Sequence, residues 1–215
     1  MQRFLASLLL LVSFFVCQSV DAKIVLPAFF SDHMVLQQQT NAAIWGWARP
    51  GSQVQVTTSW NKKKYSTAAD AAGKWKLQVA TPVAGGPYEI QISDGESITL
   101  KDILIGEVWL CSGQSNMEMP MKGYRDQPIR GSNDAVFNST NSQIRLYTVP
   151  RAVKTFIQDS TRKADWLMAG PETVNNFSAV AYHYGKILQA RLNVPVGLIN
   201  ISYGGSSAEA WMSVE

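Results

Sequence analysis

The stretch that most restricts the fold is Val108 to Met119, Val-Trp-Leu-Cys-Ser-Gly-Gln-Ser-Asn-Met-Glu-Met. Its first four residues form a short apolar run that predicts a buried strand. Ser112-Gly113-Gln114-Ser115-Asn116 then breaks the run with small and polar residues, before Met117 and Met119 resume an apolar pattern. Ser115 is therefore placed where a strand ends. In an open α/β sheet the ligand crevice lies beyond the carboxyl ends of the strands, so a hydroxyl here faces a substrate and not the core. A helix starting after it leaves its first backbone N–H groups unpaired, free to hold an anion beside the hydroxyl. Taken alone, a serine in such a turn is more often only a helix cap.

A second strand end lies downstream. From Ser178 to Leu192 the apolar period is helical, with Ala181, Tyr184, Gly185, Leu188 and Leu192 on one side and Ser178 as N-cap. Asn193 and Pro195 end that helix. Val196 to Ser202 is nearly all apolar, as a parallel strand buried on both faces should be. A right-handed crossover then brings both strand ends to one edge. The second end carries Tyr203-Gly204-Gly205-Ser206-Ser207 and Ala208-Glu209-Ala210-Trp211. A plain turn with glycine explains such a stretch equally well when it stands alone.

Together the two blocks resemble the sialate O-acetylesterases, a branch of the SGNH hydrolases. Gly106-Glu107-Val108-Trp109-Leu110-Cys111-Ser112-Gly113-Gln114-Ser115-Asn116-Met117 resembles their nucleophile block. Gly204-Gly205-Ser206 with Glu209-Ala210-Trp211 resembles their glycine block, and Met34-Val35-Leu36-Gln37 the opening of their all-β domain. The resemblance implies a serine esterase that removes O-acetyl groups from sialic acids or other acetylated sugars. Ser115 is its nucleophile; the N–H groups of Ser115 and of Gly204 or Gly205 form the oxyanion hole, where the absence of a Cβ allows close approach. Gln114 and Asn116 are candidates for the pocket. In the family a Gln-Gly-Glu block and an Asp-x-x-His block follow, and neither occurs before Glu215. The chain is thus expected to be truncated at its C-terminus, to lack the general base, and to be nearly inert alone.

Upstream of the nucleophile the pattern is that of short strands. Ala43, Trp45 and Trp47, then Val54 and Val56, then Trp75, Leu77 and Val79, then Tyr88, Ile90 and Ile92 alternate with other residues between Gly, Pro and Asp turns. The expected architecture has two domains: an antiparallel β-sandwich over 23–101, then an incomplete α/β domain of flavodoxin-like, SGNH-hydrolase type over 102–215. Trp45, Trp47 and Trp75 are expected in the sandwich core. Rival functions are an acetylxylan-type polysaccharide deacetylase and a non-catalytic carbohydrate-binding module. The last would need an exposed tryptophan platform.

The N-terminus sets the compartment. Met1-Gln2-Arg3, an apolar run from Phe4 to Val16, and Val20-Asp21-Ala22 form a signal peptide over 1–22, so the protein is expected to be exported, as a secreted or periplasmic enzyme. Cleavage removes Cys17 and leaves Cys111 as a buried, unpaired thiol. No later stretch is long and apolar enough to span a membrane, so none is expected as a partner after cleavage. The net charge is +3 and its densest cluster is Lys62-Lys63-Lys64, too little for a nucleic-acid surface. No His, Asp or Glu cluster has metal-ligand spacing, and no cofactor is expected. His33, in a polar turn, and His183, on a helix face, are read as structural.

Overall fold

The computed structural model describes residues 23–212; the expected signal peptide over 1–22 lies outside them. In chain order the elements are β1 (Val35–Gln37), β2 (Asn41–Trp47), β3 (Gln53–Thr58), β4 (Lys64–Ala68), β5 (Lys74–Ala80), β6 (Gly85–Ser93) and β7 (Ser97–Gly113). There follow α1 (Ser115–Glu118), α2 (Ser132–Phe137), β8 (Asn141–Thr148), β9 (Leu167–Ala169), α3 (Pro171–Val174), α4 (Ala179–Leu192), β10 (Val196–Ser202) and a 3₁₀ turn (Ala208–Trp211). Eight strands form one mixed sheet in the order β4-β3-β6-β7-β10-β8-β9, with β1 also on β7, while β2 and β5 pair separately. Among the described residues no helix is long and apolar enough to cross a membrane.

Strand β7 carries this arrangement, 17 residues long. Its first part pairs antiparallel with β6, from Ser97↔Ser93 to Ile105↔Gly85. Leu104 to Gly106 pair parallel with Val35 to Gln37, and Glu107 to Gly113 pair parallel with Val196 to Ser202. The strand is therefore continuous through residues 101 and 102, where the sequence pattern divides the chain. β10 also lies parallel to β8, Val196↔Ile144 through Asn200↔Thr148.

Two apolar clusters cover the sheet. One joins Ile44, Trp75 and Val79 of the two-stranded sheet to Val54, Val56, Ile90 and Ile92 of the larger one, and continues to Leu104, Tyr147 and Trp166. Trp166 is fixed there by its Nε1–H, which donates to the Phe29 carbonyl at 2.8 Å. The other cluster packs Leu146, Val196 and Leu198 against Val174, Phe177, Ala181 and Tyr182. Ser178 Oγ accepts the Ala181 N–H at 3.2 Å and starts α4, and Asn193 ends it at φ 52°, so the predicted helix and its caps are present.

Several expectations change. In β2 the buried residues are Ile44 and Gly46, while Trp45 and Trp47 are half-buried; of the three tryptophans only Trp75 is buried. Trp45 stacks edge-on against Phe29 and Phe30, at ring-centroid distances of 5.2 and 4.8 Å. The buried side of α4 is Ala179, Ala181, Tyr182 and Gly185, whereas Tyr184 and Leu192 are exposed. The run Val108 to Cys111 is not wholly buried: Trp109 and Leu110 are 41% and 61% exposed. Over Glu107–Gly113 the partner of β7 among the described residues is β10 alone, and Trp109 rests on Tyr184 with ring centroids 5.0 Å apart.

β7 contains a bulge. The register against β6 steps from Tyr88↔Ile103 to Ile90↔Leu100, leaving one extra residue on β7, and Asp102 there has φ 54°. Its Oδ2 accepts from Arg145 Nη1 at 2.8 Å and lies 2.6 Å from His33 Nδ1. The Arg145 side chain is 3% exposed. The bulge thus ties β8 and the turn before β1 to one carboxylate. The Arg145 hydrogen bond holds the Asp102 carboxyl below its ordinary range, with burial opposing and the His33 contact helping.

That depression fixes a sign. Stabilisation from Asp102 is complete above the unfolded carboxyl value, about 3.9, and is lost as pH falls through the lower folded value. Asp102→Asn keeps a residue that tolerates positive φ but leaves Arg145 unpaired, and should cost about 2–3 kcal/mol at neutral pH. In thermal melts across pH the gap between the two proteins should close below about pH 4.

Candidate active site

The ends of β7 and β10 lie side by side because their register runs to Ser202↔Gly113, and the Tyr203 N–H continues it by donating to the Gly113 carbonyl at 3.0 Å. Gly113 turns the chain out of the strand at φ 150°, a conformation that a side chain would strain. Ser115 opens α1. Its Oγ donates to Gln114 Oε1 at 2.9 Å, and both residues are exposed. The hydrogen bonds of α1 begin with Glu118 N–H to the Gln114 carbonyl at 2.9 Å and Met119 N–H to the Ser115 carbonyl at 3.0 Å. The Gln114 side chain caps this turn, its Oε1 also accepting the Ser115 N–H at 3.5 Å, beside the hydroxyl.

The glycine block reaches the same place. A Cβ on Gly204 would lie 3.8 Å from Ser115 Cα and 2.3 Å from Glu118 Oε2. Gly205 follows at φ 78° with open space where its Cβ would be. Gly204 is thus brought against Ser115, with Gly205 next in the chain, Gln114 on the hydroxyl and Asn116 exposed next to it. The Gly204 N–H is already engaged, donating to Glu118 Oε2 at 2.9 Å. The other Glu118 oxygen pairs with the Arg151 guanidinium, which also lies 5.0 Å from the centroid of the Tyr203 ring. Glu118 and Arg151 were not singled out from sequence. The available signal was position: Glu118 is three residues after Ser115, one helical turn, and Arg151 follows Pro150, two residues past the end of β8.

The histidines lie elsewhere. His33 is bonded to Asp102, eleven residues before Gly113 on β7, or roughly 36 Å at ordinary strand rise. His183 is exposed on α4 and touches Tyr182, ring centroids 6.0 Å apart. Among the described residues the hydrogen-bond partner of Ser115 Oγ is Gln114. Beside Tyr203 a groove of 1110 Å³ extends between the 149–162 loop and the 3₁₀ turn, lined by Arg151, Lys154, Phe156, Ser206 and Trp211 among others. A second cavity, of 760 Å³, is bordered by Trp45 and Trp47 at their half-buried edges. Trp45 is packed edge-on against Phe29 and Phe30 and Trp75 is buried, while Trp47 keeps a half-buried edge on this cavity.

The overall arrangement matches a crystal structure of a novel carbohydrate acetylesterase from Xanthomonas citri, with TM-score 0.82 and 34% identity over 89% of this chain and 42% of that one. In sequence, the mouse sialate O-acetylesterase is 31% identical over 203 residues, 86% of this chain and 37% of the relative. The human sialate O-acetylesterase is 32% identical over 86% and 38% respectively. This chain is a homologue of the sialate O-acetylesterases. It spans less than two fifths of the length of those relatives. No protein-family model matches it. Its homologues are carboxylic ester hydrolases, and the structurally similar one is named for acetylated carbohydrate.

Cys111, four residues before Ser115, is buried at 7% exposure and free, and burial pushes its thiol pKa up. It is a packing residue of the second cluster. In a Cys17→Ser background the native thiol should react with 5,5′-dithiobis(2-nitrobenzoate) at least about a hundredfold more slowly than the unfolded one, because it is both inaccessible and protonated. Equal rates would place Cys111 at the surface.

Proposed function

We propose that this chain carries the nucleophile and oxyanion donors of an exported serine esterase that removes O-acetyl groups from sugars, sialic acids among them. In this reading residues 23–101 are a β-sandwich domain and residues 102–215 part of an SGNH-type α/β domain, with β7 threading both. The observation that carries it is the pairing of Ser202 with Gly113, which sets Ser115 against the glycine block.

The chemistry follows from that placement. Ser115 Oγ attacks the acetyl carbonyl carbon, and the carbonyl π electrons move onto oxygen. The oxyanion takes hydrogen bonds from the Ser115 N–H and from an amide of the glycine block, an arrangement worth several kcal/mol when the donors are fixed beforehand, about 3–4 for a single one. The Ser115 hydroxyl proton passes to solvent water, and collapse breaks the C–O bond to the sugar, whose oxygen takes a proton from water and leaves as the hydroxyl. Water then attacks the acetyl-serine, releasing acetate and restoring the hydroxyl.

Proton transfer is the weak step. Gln114, the residue on Ser115 Oγ, is an amide and takes no proton at neutral pH, and neither His33 nor His183 is hydrogen-bonded to the hydroxyl. Losing the base of a serine triad costs on the order of 10⁶ in turnover. The chain by itself therefore hydrolyses esters slowly, through positioning and oxyanion stabilisation.

Substrate choice resides in the groove beside Tyr203. Its mix of aromatic and basic side chains suits a sugar, and its occupant is either a sialic acid or an acetylated plant polysaccharide such as xylan. Two measurements test the proposal. Ser115→Ala should abolish the protein-dependent hydrolysis of p-nitrophenyl acetate; unchanged hydrolysis removes Ser115 from its role. Acetate release from O-acetylated sialic acid and from acetylated xylan, compared on the same preparation, decides the substrate, and release from neither ends the sugar reading.

A further inference from the structure

The two glycines at the end of β10 are glycines for different reasons. Gly205 has φ 78°, which an L side chain rarely adopts, and open space around its missing Cβ. Gly204 is not among the positive-φ residues, so alanine fits its backbone. What alanine would meet there is Glu118 Oε2, 2.3 Å from the ideal Cβ. The same oxygen takes the Gly204 N–H at 2.9 Å, and the Glu118 side chain is only 15% exposed. The partner oxygen is held by Arg151, from the loop after β8, whose guanidinium also covers the Tyr203 ring. One carboxylate thus joins the helix that Ser115 opens, the glycine loop and the β8 loop.

We propose that Glu118 is a positioning residue that locks the glycine loop onto the Ser115 turn, closes the Gly204 amide to substrate and leaves the Gly205 amide as the loop's oxyanion donor. The proposal deepens the esterase reading and rests on it for the word oxyanion, while the lock itself is a matter of geometry. A carboxylate that accepts an N–H is already a hydrogen-bond acceptor in the place a substrate oxyanion would need, and two anions do not share one donor. Arg151 offsets the charge of Glu118, so the carboxylate stays put beside a site that develops negative charge.

The test uses the 215-residue chain with ¹⁵N labelling. In a double-mutant cycle followed by thermal unfolding, Gly204→Ala should lower the melting temperature in the wild type but leave it nearly unchanged in Glu118→Ala, since the clash is then gone. Additive effects overturn the lock. Hydrogen exchange at the Gly204 amide should quicken by at least about tenfold in Glu118→Ala and far less in Glu118→Gln, which keeps an acceptor oxygen. Equal exchange in all three overturns it too. Phenylboronic acid then separates the lock from the chemistry. Its boron accepts a lone pair of Ser115 Oγ, the hydroxyl proton passes to water, and the tetrahedral boronate presents an oxyanion. The Gly205 amide proton should move downfield and the Gly204 proton should not; a shift at Gly204 contradicts the proposal. If no amide moves, and Ser115→Ala gives the same spectrum, the reading of Ser115 as nucleophile fails, while the cycle and the exchange rates still decide the role of Glu118.

Discussion

The parallel pairing of β10 with the second half of β7 is the constraint on which the site depends. Seven consecutive residues of each strand are in register, from Val196↔Glu107 to Ser202↔Gly113. A slip of one residue would turn Leu198 off the α4 face and Cys111 out of the second cluster, so the register is held by side-chain burial as well as by backbone hydrogen bonds. Once it is held, the two chain segments leave the sheet at the same level. Nothing at the level of Ser115 alone makes it a candidate nucleophile; its neighbours across the strand pair do.

The frame that holds this pairing extends well beyond the site. β7 belongs to the antiparallel strands at its start and to the parallel ones at its end, and the bulge at Asp102 lies within the antiparallel part, shortly before the parallel pairing begins. A bulge increases local twist, and here it also turns a carboxylate toward Arg145 on β8 and His33 before β1. Trp166 reaches across to Phe29 in the same way. The first cluster is consequently shared between residues on both sides of the expected domain boundary. Movement of one part relative to the other would break packing in that cluster.

Much of this was legible in the sequence where the signals are local. The span and caps of α4 and the span of β10 follow from period and from Ser178 and Asn193, and the structure has them there. The turns between the N-terminal strands follow from Gly, Pro and Asp. What periodicity could not decide was which alternate set faces inward, since β2 carries apolar residues at nearly every position; Ile44 and Gly46 are buried and Trp45 is not fully so. The exposure of Trp109 and Leu110 was illegible for a related reason, because it depends on which strands lie beside β7. Glu118, Arg151, Asp102 and Arg145 were missed because their partners are distant in sequence. A charged residue with a partner 33 or 43 positions away looks, read locally, like any solvated charge.

The most direct measurement of the central claim is a proton–proton NOE between Gly204 Hα and Ser115 Hα in the isotopically labelled chain, read together with the cross-strand contacts that accompany Ser202↔Gly113 pairing. A strong cross-peak, with the Tyr203 amide protected from exchange by the Gly113 carbonyl, is the predicted result. An absent cross-peak with a freely exchanging Tyr203 amide would mean that the two strand ends separate, and that serine and glycines do not share a site.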